Sequence, residues 1–284
     1  MERIVLDSSL TSTKPSYSRF AGIQQQIIST ADSDISVYVN IETRLGLSFL
    51  FCISTLPYLA ENHQKNIHIF CNTKSRQLFY YGGYIPEEAR DQEDLDIAPY
   101  LKNSARVIKD VNDVLTLVTE IKKDAPVQMS EKVAEIFTSR VGEMYNNSIE
   151  HSGGEYVIGA KFFKNQKNKY CFSCYDTGVG IPQKVISNID SSFTDREALA
   201  WALKRGNSTA NKSTGVFVPR GLGLDMLRGF ARANDGTIRL CSGNTLYVYN
   251  SKKGEQFFEL NNSFCGTLFE MDIVADNQHI YILK

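Results

Sequence analysis

Short β-branched segments alternate with an apolar helical segment near the start of the chain. Residues 35–41 (ISVYVNI) and 66–71 (NIHIFC) have the pattern of buried strands. Residues 45–61 lie between them and are mostly apolar, which predicts a helix. A strand, a helix and a strand in this order predict a β–α–β unit with parallel strands. Residues 79–84 (FYYGGY) are then predicted to form an aromatic turn.

An acidic segment bounded by prolines follows this region. Residues 86–99 (PEEARDQEDLDIAP) can be interpreted as an interaction tail, but their composition favours a solvated linker. A chain of 284 residues is long enough for one large or two ordinary domains. We therefore expect an α/β domain over residues 1–95 and a second domain over residues 96–284.

Two amphipathic helices are predicted at the start of the second domain. The first spans residues 104–123, and the second begins after Ser130, a good N-cap residue. The apolar stripe of the second helix contains Val133, Phe137, Val141 and Met144.

A polar row flanks this apolar stripe. Glu143, Asn147 and His151 are spaced four residues apart, so they follow one line along the helix. Polar groups beside a core-facing stripe lie where a pocket can open.

The rest of the second domain has a strand pattern. Residues 156–163 and 169–176 are predicted to form a hairpin around a polar loop. Further strands are predicted at residues 237–241, 246–250, 256–260 and 266–274. A mainly antiparallel sheet with helices on one face is an α+β two-layer sandwich.

Three motifs occur in a fixed order within this domain. They are GEMYNNSIEHS (residues 142–152), DTGVGIP (176–182) and RGLGLDML (220–227). Their order and separation resemble the GHKL ATP-binding superfamily of gyrase, Hsp90, histidine kinases and MutL, nearest its anti-sigma-factor kinase branch. The resemblance covers residues 130–275. It implies a histidine-kinase-like ATPase domain with the Bergerat ATP-binding fold, which binds ATP and Mg²⁺.

The resemblance implies an adenine end of the site. Asp176 matches the aspartate that accepts a hydrogen bond from the adenine amino group. Gly178 and Gly180 would let the backbone turn sharply and approach the base. Thr267 matches the threonine that supports the same aspartate, water and adenine network.

The resemblance also implies a phosphate end. Asn147 matches the asparagine whose amide oxygen ligates Mg²⁺, and Glu143 matches the general base. His151 matches a position near the lid, although a cation at a helix C-terminus has a structural explanation too. Ser148 stands where the family usually has alanine, a change that we expect to have no effect.

A long polar connection, residues 183–220, is expected to act as an ATP lid around a short helix at residues 195–204. Its candidate phosphate-binding cations are Arg205, Lys212 and Arg220, and for Arg205 and Lys212 a solvated surface loop is the alternative. Four residues would close the lid and open a helix whose free N–H groups hold the phosphates, namely Gly221, Leu222, Gly223 and Leu224.

The first domain loosely resembles a STAS-type domain of anti-sigma-factor antagonists. Where such antagonists carry a D-S-x-G-type phosphoacceptor loop, this chain has residues 42–46 (ETRLG). A docking or dimerisation domain without chemistry is therefore the preferred interpretation.

Composition narrows the functional classes. The formal net charge of −1 gives no general attraction to nucleic acid, and no membrane-spanning segment or secretory signal is apparent, so we expect a cytoplasmic protein. Six cysteines include the pair Cys171 and Cys174, whose spacing could indicate metal or redox chemistry. On a strand these two residues face opposite sides, which favours buried structural thiols.

The sequence leaves two functions open. The first is an ATPase or serine-kinase-like enzyme in which Glu143 acts as the base. The second is a nucleotide-gated binding or dimerisation module with little or no turnover. Both imply ATP as a ligand and a protein partner or a homodimer.

Overall fold

The structure is a computed structural model that describes residues 2–124, 128–164, 169–204, 206–207, 223–233, 235–274 and 280–281. The chain divides into two compact units. The first contains residues 1–107 and 260–265, and the second contains residues 108–259 and 266–284. The boundary therefore lies beyond the expected position at residues 95 and 96, and a short distant segment joins the first unit.

The first unit has a parallel sheet surrounded by short helices. Its elements in chain order are β1 (Glu2–Leu6), α1 (Lys14–Ser29), β2 (Asp34–Val39), α2 (Leu47–Ser54), α3 (Leu56–Asn62), β3 (Asn66–Cys71), α4 (Thr73–Tyr81), α5 (Glu87–Arg90), α6 (Ala98–Ser104) and β4 (Arg106–Val107). The strand order is β1–β2–β3, and both pairs are parallel. The predicted β–α–β unit with parallel strands is confirmed.

Side chains alternate between the two faces of this sheet. Ile4, Val37 and Ile69 are in register on one face and are almost fully buried. On the other face Tyr38 stacks on Phe70 with ring centroids 5.2 Å apart, and the Arg3 guanidinium lies 4.3 Å from the Tyr38 ring centroid. This second face thus carries a partly exposed row of aromatic and basic groups.

Two predicted helical and turn segments differ from the structure. The single helix expected at residues 45–61 is divided into α2 and α3 at Thr55, because Pro57 opens the second helix. In the aromatic turn expected at residues 79–84, residues 79–81 are the end of α4 and residues 82–84 form the turn; α4 follows the N-cap Asn72. The Asn72 side chain accepts a hydrogen bond from Ser75 N at 2.8 Å.

The segment predicted to be a solvated linker is partly packed. Asp96 Oδ1 accepts hydrogen bonds from Ile69 N at 2.8 Å and Ala98 N at 3.0 Å. Ile97 is fully buried, and its N–H donates to Ile69 O at 2.8 Å. Its longest exposed run is residues 91–94. Buried hydrogen bonds to β3 make this segment part of the first unit.

The second unit combines a long central helix with an antiparallel sheet. Its elements are α7 (Val111–Asp124), β5 (Gln128–Met129), α8 (Glu131–His151), β6 (Val157–Lys164), β7 (Lys169–Asp176), α9 (Ile181–Asn188), α10 (Asp195–Ala202), α11 (Gly223–Ala233), β8 (Thr237–Asn250), β9 (Gly254–Val274) and β10 (Ile280–Tyr281). β6, β7, β9 and β8 are neighbours in that order. β6–β7 and β7–β9 are antiparallel, and β10 pairs with β5 in parallel.

Helices pack against this sheet. The core contains residues of α7, α8 and α11 together with inward side chains of the strands, among them Val118, Phe137, Val141, Tyr145, Phe172, Leu227, Ile238, Phe269 and Met271. The predicted apolar stripe of α8 is confirmed, with Met144 only partly buried. The expected mixed helix and sheet class with an open antiparallel sheet is therefore observed.

Several predicted element bounds are corrected. The helix expected at residues 104–123 begins only at Val111, since Arg106–Val107 forms β4. The four strands expected between residues 237 and 274 are two long strands, β8 and β9. The glycines that suggested breaks, Gly243 and Gly266, lie inside them with positive φ of 56° and 77°.

Within the residues that the structure describes, no helix is both long enough and apolar enough to cross a membrane.

The packing of Phe137 yields a first prediction. Its ring centroid lies 4.6 Å from that of Phe230 and 5.8 Å from that of Phe172. Replacement of Phe137 by alanine should lower the free energy of unfolding by about 3–5 kcal/mol. The removed ring packs α8 against the sheet, and its loss leaves a cavity there. Denaturant unfolding followed by circular dichroism measures this change.

Leu115→Ala is the matched control for that measurement. Leu115 lies on α7 and is 60% exposed, so its truncation should change stability by less than about 0.5 kcal/mol. Equal losses in the two variants would contradict the assignment of Phe137 to the core.

Candidate functional site

The end of α8 presents the predicted polar row. Its N-cap Ser130 accepts a hydrogen bond from Val133 N at 3.4 Å, so the helix begins where the sequence predicted. Glu143 is partly buried and Asn147 is exposed on the following turn. His151 is the last residue of α8, and its side chain lies outside the described residues.

Glu143 is held by a neighbouring arginine. Arg140 Nη1 lies 2.8 Å from Glu143 Oε2, and the two side chains are 26% and 24% exposed. Arg140 Nε is buried and has no hydrogen-bond acceptor among the described residues. Arg140, Glu143 and Asn147 therefore form one row on the helix, with a cation at its N-terminal end.

Asp176 is a buried carboxyl group of the second unit. It ends β7 and is only 3% exposed. Burial raises the pKa of the Asp176 carboxyl to about 7, although hydrogen bonds from Gly178 N, Thr267 N and the Ser148 hydroxyl act in the opposite direction. Its Oδ1 accepts from Gly178 N at 3.0 Å. Desolvation thus outweighs the donors around the carboxylate.

Glycines allow the backbones around Asp176 to meet. A side chain on Gly178 would collide with Ser152 O at the end of α8, and one on Gly154 would collide with the backbone of residues 177 and 178. Gly180 has φ of 85°, and a Cβ there would lie 2.9 Å from Ser242 Oγ. Chain packing therefore explains these two glycines of the motif, in addition to the predicted approach to a base.

Thr267 lies opposite Asp176 in the sheet. The two residues are register partners in the β7–β9 pair, and Thr267 is 9% exposed. Ser242 of β8 connects the Thr267 region of β9 to the start of α9. Its Oγ donates to Gly266 O at 3.0 Å, accepts from Ile181 N at 3.0 Å and lies 3.2 Å from Thr267 Oγ1.

The structure therefore brings the first two motifs together with Thr267. Ser148 of α8 contributes to the Asp176 environment, and Ser152 lies against Gly178. Ser148, for which we expected no effect relative to alanine, donates a hydrogen bond that lowers the pKa of the Asp176 carboxyl.

The third motif is only partly described. Gly223 and Leu224 begin α11, and the Leu224 side chain lies outside the described residues. The remaining predicted phosphate contacts also lie outside them, namely Arg205, Lys212, Arg220, Gly221 and Leu222. Residues 183–204 of the expected lid are largely helical, because they contain most of α9 and all of α10.

Three residues of the site were not predicted. Arg140 resembles any charged residue on an exposed helix face. Ser242 precedes a glycine and has the appearance of a turn residue. Ser148 differs from alanine by one hydroxyl, and no local pattern indicates that this group faces a carboxylate two elements away.

The cysteine pair behaves as the alternation of a strand predicts. Cys171 donates to Asp272 Oδ1, whereas Cys174 lies 3.6 Å from Ser148 Oγ on α8. Burial raises the pKa of the Cys174 thiol, which keeps it protonated. Among the described residues, no group of three or more His, Cys, Asp or Glu side chains is arranged to hold a metal ion.

No protein-family model matches the chain, and a search of curated proteins finds no match.

Burial of Asp176 predicts a pH-dependent stability. The folded protein binds this proton more tightly than the unfolded chain, where the pKa is about 4. Stability should therefore fall as pH rises from about 4 to about 7, and this contribution should be constant above that range. Asp176→Asn lacks the effect, so its stability relative to wild type should increase over the same window by at most about 4 kcal/mol.

Urea unfolding at a series of pH values tests this expectation. Asp190→Asn serves as the control, because the Ser192 hydroxyl lowers the pKa of the exposed Asp190 carboxyl. The stability of the control relative to wild type should stay constant between about pH 5 and 7. A constant difference for Asp176→Asn as well would show that Asp176 is ionised throughout this range.

Proposed function

We propose that this chain is a Mg-ATP-binding regulatory protein of the GHKL type, with a Bergerat-fold ATPase domain, that hydrolyses ATP or transfers its γ-phosphate. The single observation that carries the proposal is the convergence of separate sequence motifs on one buried carboxylate, Asp176. In this proposal the first unit is a STAS-like docking or dimerisation domain, and the protein acts in the cytoplasm on a protein partner or a second copy.

The adenine end is supported by the chemistry of Asp176. A buried carboxylate beside backbone donors has a strong demand for further N–H groups, because its ionised form is poorly solvated. The exocyclic amino group of adenine is such a donor. Thr267 and Ser242 would fix the strand beside the base, and Ser148 would hold the carboxylate in orientation.

The phosphate end is supported by the donors on α8. Asn147 offers an exposed amide oxygen, a hard ligand of the kind that Mg²⁺ prefers alongside phosphate oxygens and water. The residues present therefore fit the ion. When bound, Mg²⁺ would neutralise charge on the β- and γ-phosphates. Arg140, which lies about one turn before Glu143 on α8, would supply further positive charge.

Glu143 is the proposed base. Its carboxylate would accept a proton from water, or from the hydroxyl of a protein substrate, as that oxygen attacks the γ-phosphorus. The bond from the γ-phosphorus to the bridging oxygen of ADP breaks, and ADP leaves with the bonding electrons. Glu143→Gln removes the proton acceptor but keeps the size of the side chain.

Phosphate release from γ-labelled Mg-ATP tests the enzyme function. Wild type should release labelled phosphate, and Glu143→Gln should release it at least roughly 100-fold more slowly. Asn147→Ala should release no labelled phosphate. Binding of ATP measured by titration calorimetry should survive in Glu143→Gln. In Asn147→Ala the Mg²⁺-dependent part of the affinity should disappear, while adenosine should still bind.

Asp176→Asn provides the control at the adenine end of the site. It should weaken adenosine and ATP equally, because the amide presents a donor where the adenine amino group needs an acceptor. If wild type bound neither adenosine nor ATP, the proposed function would be abandoned.

A nucleotide-gated module without turnover is the second candidate. The observation that bears on this candidate is the ion pair with Arg140 that occupies Glu143, because it would slow the proposed base. A partly exposed pair of this kind contributes about 0.2–1 kcal/mol. Releasing Glu143 from Arg140 can therefore change the rate by no more than about fivefold, so the pair adjusts turnover and cannot abolish it.

Arg140→Gln separates the two candidates. In an enzyme this variant should hydrolyse ATP at up to about five times the wild-type rate, or more slowly if Arg140 binds the γ-phosphate. In a gated module neither wild type nor Arg140→Gln releases phosphate, although both bind ATP. Lys132→Gln, a charge removal near the start of the same helix, is the control and should leave binding and release unchanged.

A further inference from the structure

Strand β9 belongs to both units of the protein. Residues 260–265 form part of the first unit, whereas residues 254–259 and 266–274 form part of the second. Thr267, which supports Asp176 in the proposed adenine site, is therefore two residues away from a segment that the first unit holds.

Helix α1 holds this segment by its backbone. Gln24 Oε1 accepts from Cys265 N at 3.0 Å, and Gln24 Nε2 donates to Cys265 O at 3.4 Å. One side-chain amide thus satisfies both backbone groups of one residue. Gln24 is fully buried, so water cannot replace these bonds if they are lost.

Neighbouring residues of α1 extend the contact along the strand. Gln25 Nε2 donates to Ser263 O at 2.8 Å, and Ser18 Oγ accepts from Asn261 N at 3.2 Å. The ring centroids of Phe20 and Phe264 lie 6.1 Å apart. The helix therefore fixes the position of the strand through polar and apolar contacts together.

Gly266, which follows Cys265, changes the direction of the strand. Gly266 has φ of 77°, and a side chain there would collide with Asp176 O. Thr267 then pairs with Asp176 and donates its N–H to the carboxylate. Since consecutive Cα atoms are a fixed ~3.8 Å apart, a shift of Cys265 must move Gly266 and Thr267 or strain Gly266.

We propose that Gln24 is a positioning residue for the proposed adenine site, and that its hold on Cys265 couples the state of the first unit to nucleotide affinity. This inference rests on the proposed function for the identity of the ligand. The coupling is reciprocal: a partner that displaces α1 from residues 260–265 weakens nucleotide binding, and bound nucleotide strengthens the contact of α1 with the strand.

Three consecutive glutamines of α1 supply a matched pair of variants. Gln24→Met keeps the length of the side chain and removes both bonds to Cys265. Gln26→Met makes the same chemical change at an exposed position of the same helix. The full-length chain is used throughout, and near-ultraviolet circular dichroism checks that each variant is folded.

Titration calorimetry with adenosine and with Mg-ATP measures the coupling. Gln24→Met should bind both ligands at least roughly fivefold more weakly than wild type. The ratio of the two affinities should be unchanged, because only the adenine end of the site is displaced. Gln26→Met should bind as wild type does. If Gln24→Met does not fold, Gln25→Met, which removes the bond to Ser263 O, replaces it with the same expectation.

Hydrogen exchange provides a readout that does not require nucleotide. The Thr267 amide should exchange faster in Gln24→Met than in wild type and Gln26→Met. If wild type binds no nucleotide, the proposed function fails, and the exchange of Thr267 alone supports or overturns the positioning role. Unchanged affinity together with unchanged Thr267 exchange in Gln24→Met overturns the inference.

Discussion

The burial of one carboxylate is the constraint on which the second unit depends. Asp176 lies at the end of β7, where a charged group is costly unless several donors surround it. Those donors come from three places in the sequence: Ser148 on α8, Gly178 in the following turn and Thr267 on β9. Close backbone approach is needed to bring them together, and the glycines at positions 154, 178 and 266 permit it. The motif glycines and the acidic residue thus form one structural arrangement.

Helix α8 links this arrangement to the hydrophobic core. Phe137, Val141 and Tyr145 bury one side of the helix against the sheet, and the Tyr145 hydroxyl donates to Ser173 O at 2.8 Å. Because an α-helix is rigid over this length, the same packing fixes the row that contains Glu143 and Asn147. Core stability and the geometry of the proposed phosphate end are therefore properties of one element.

Local signals in the sequence predicted local structure well. The N-cap at Ser130, the apolar stripe of α8, the β6–β7 hairpin and the strand β3 all depend on residues close together in the chain. Helix α9 was missed, because its first turn contains Pro182 after two turn-forming glycines and it is only 8 residues long. Its proline occupies the first turn of the helix, where proline is tolerated.

Features that depend on distant residues could not be predicted. Gln24 is separated from Cys265 by 241 positions, and nothing near either residue indicates the other. Ser242 acquires its role only when β8, β9 and α9 meet around it.

The division of β9 between the units has a consequence for the order of folding during synthesis. Domains usually fold as they leave the ribosome, with the N-terminal one first. Here the bonds from Gln24 to Cys265 and the contact of Phe20 with Phe264 cannot form until residue 265 has been translated, by which point most of the second unit is already synthesised. The first unit must therefore remain an incomplete intermediate with one helix face uncovered until β9 (Gly254–Val274) has been synthesised, and the same late step places this strand in the second unit.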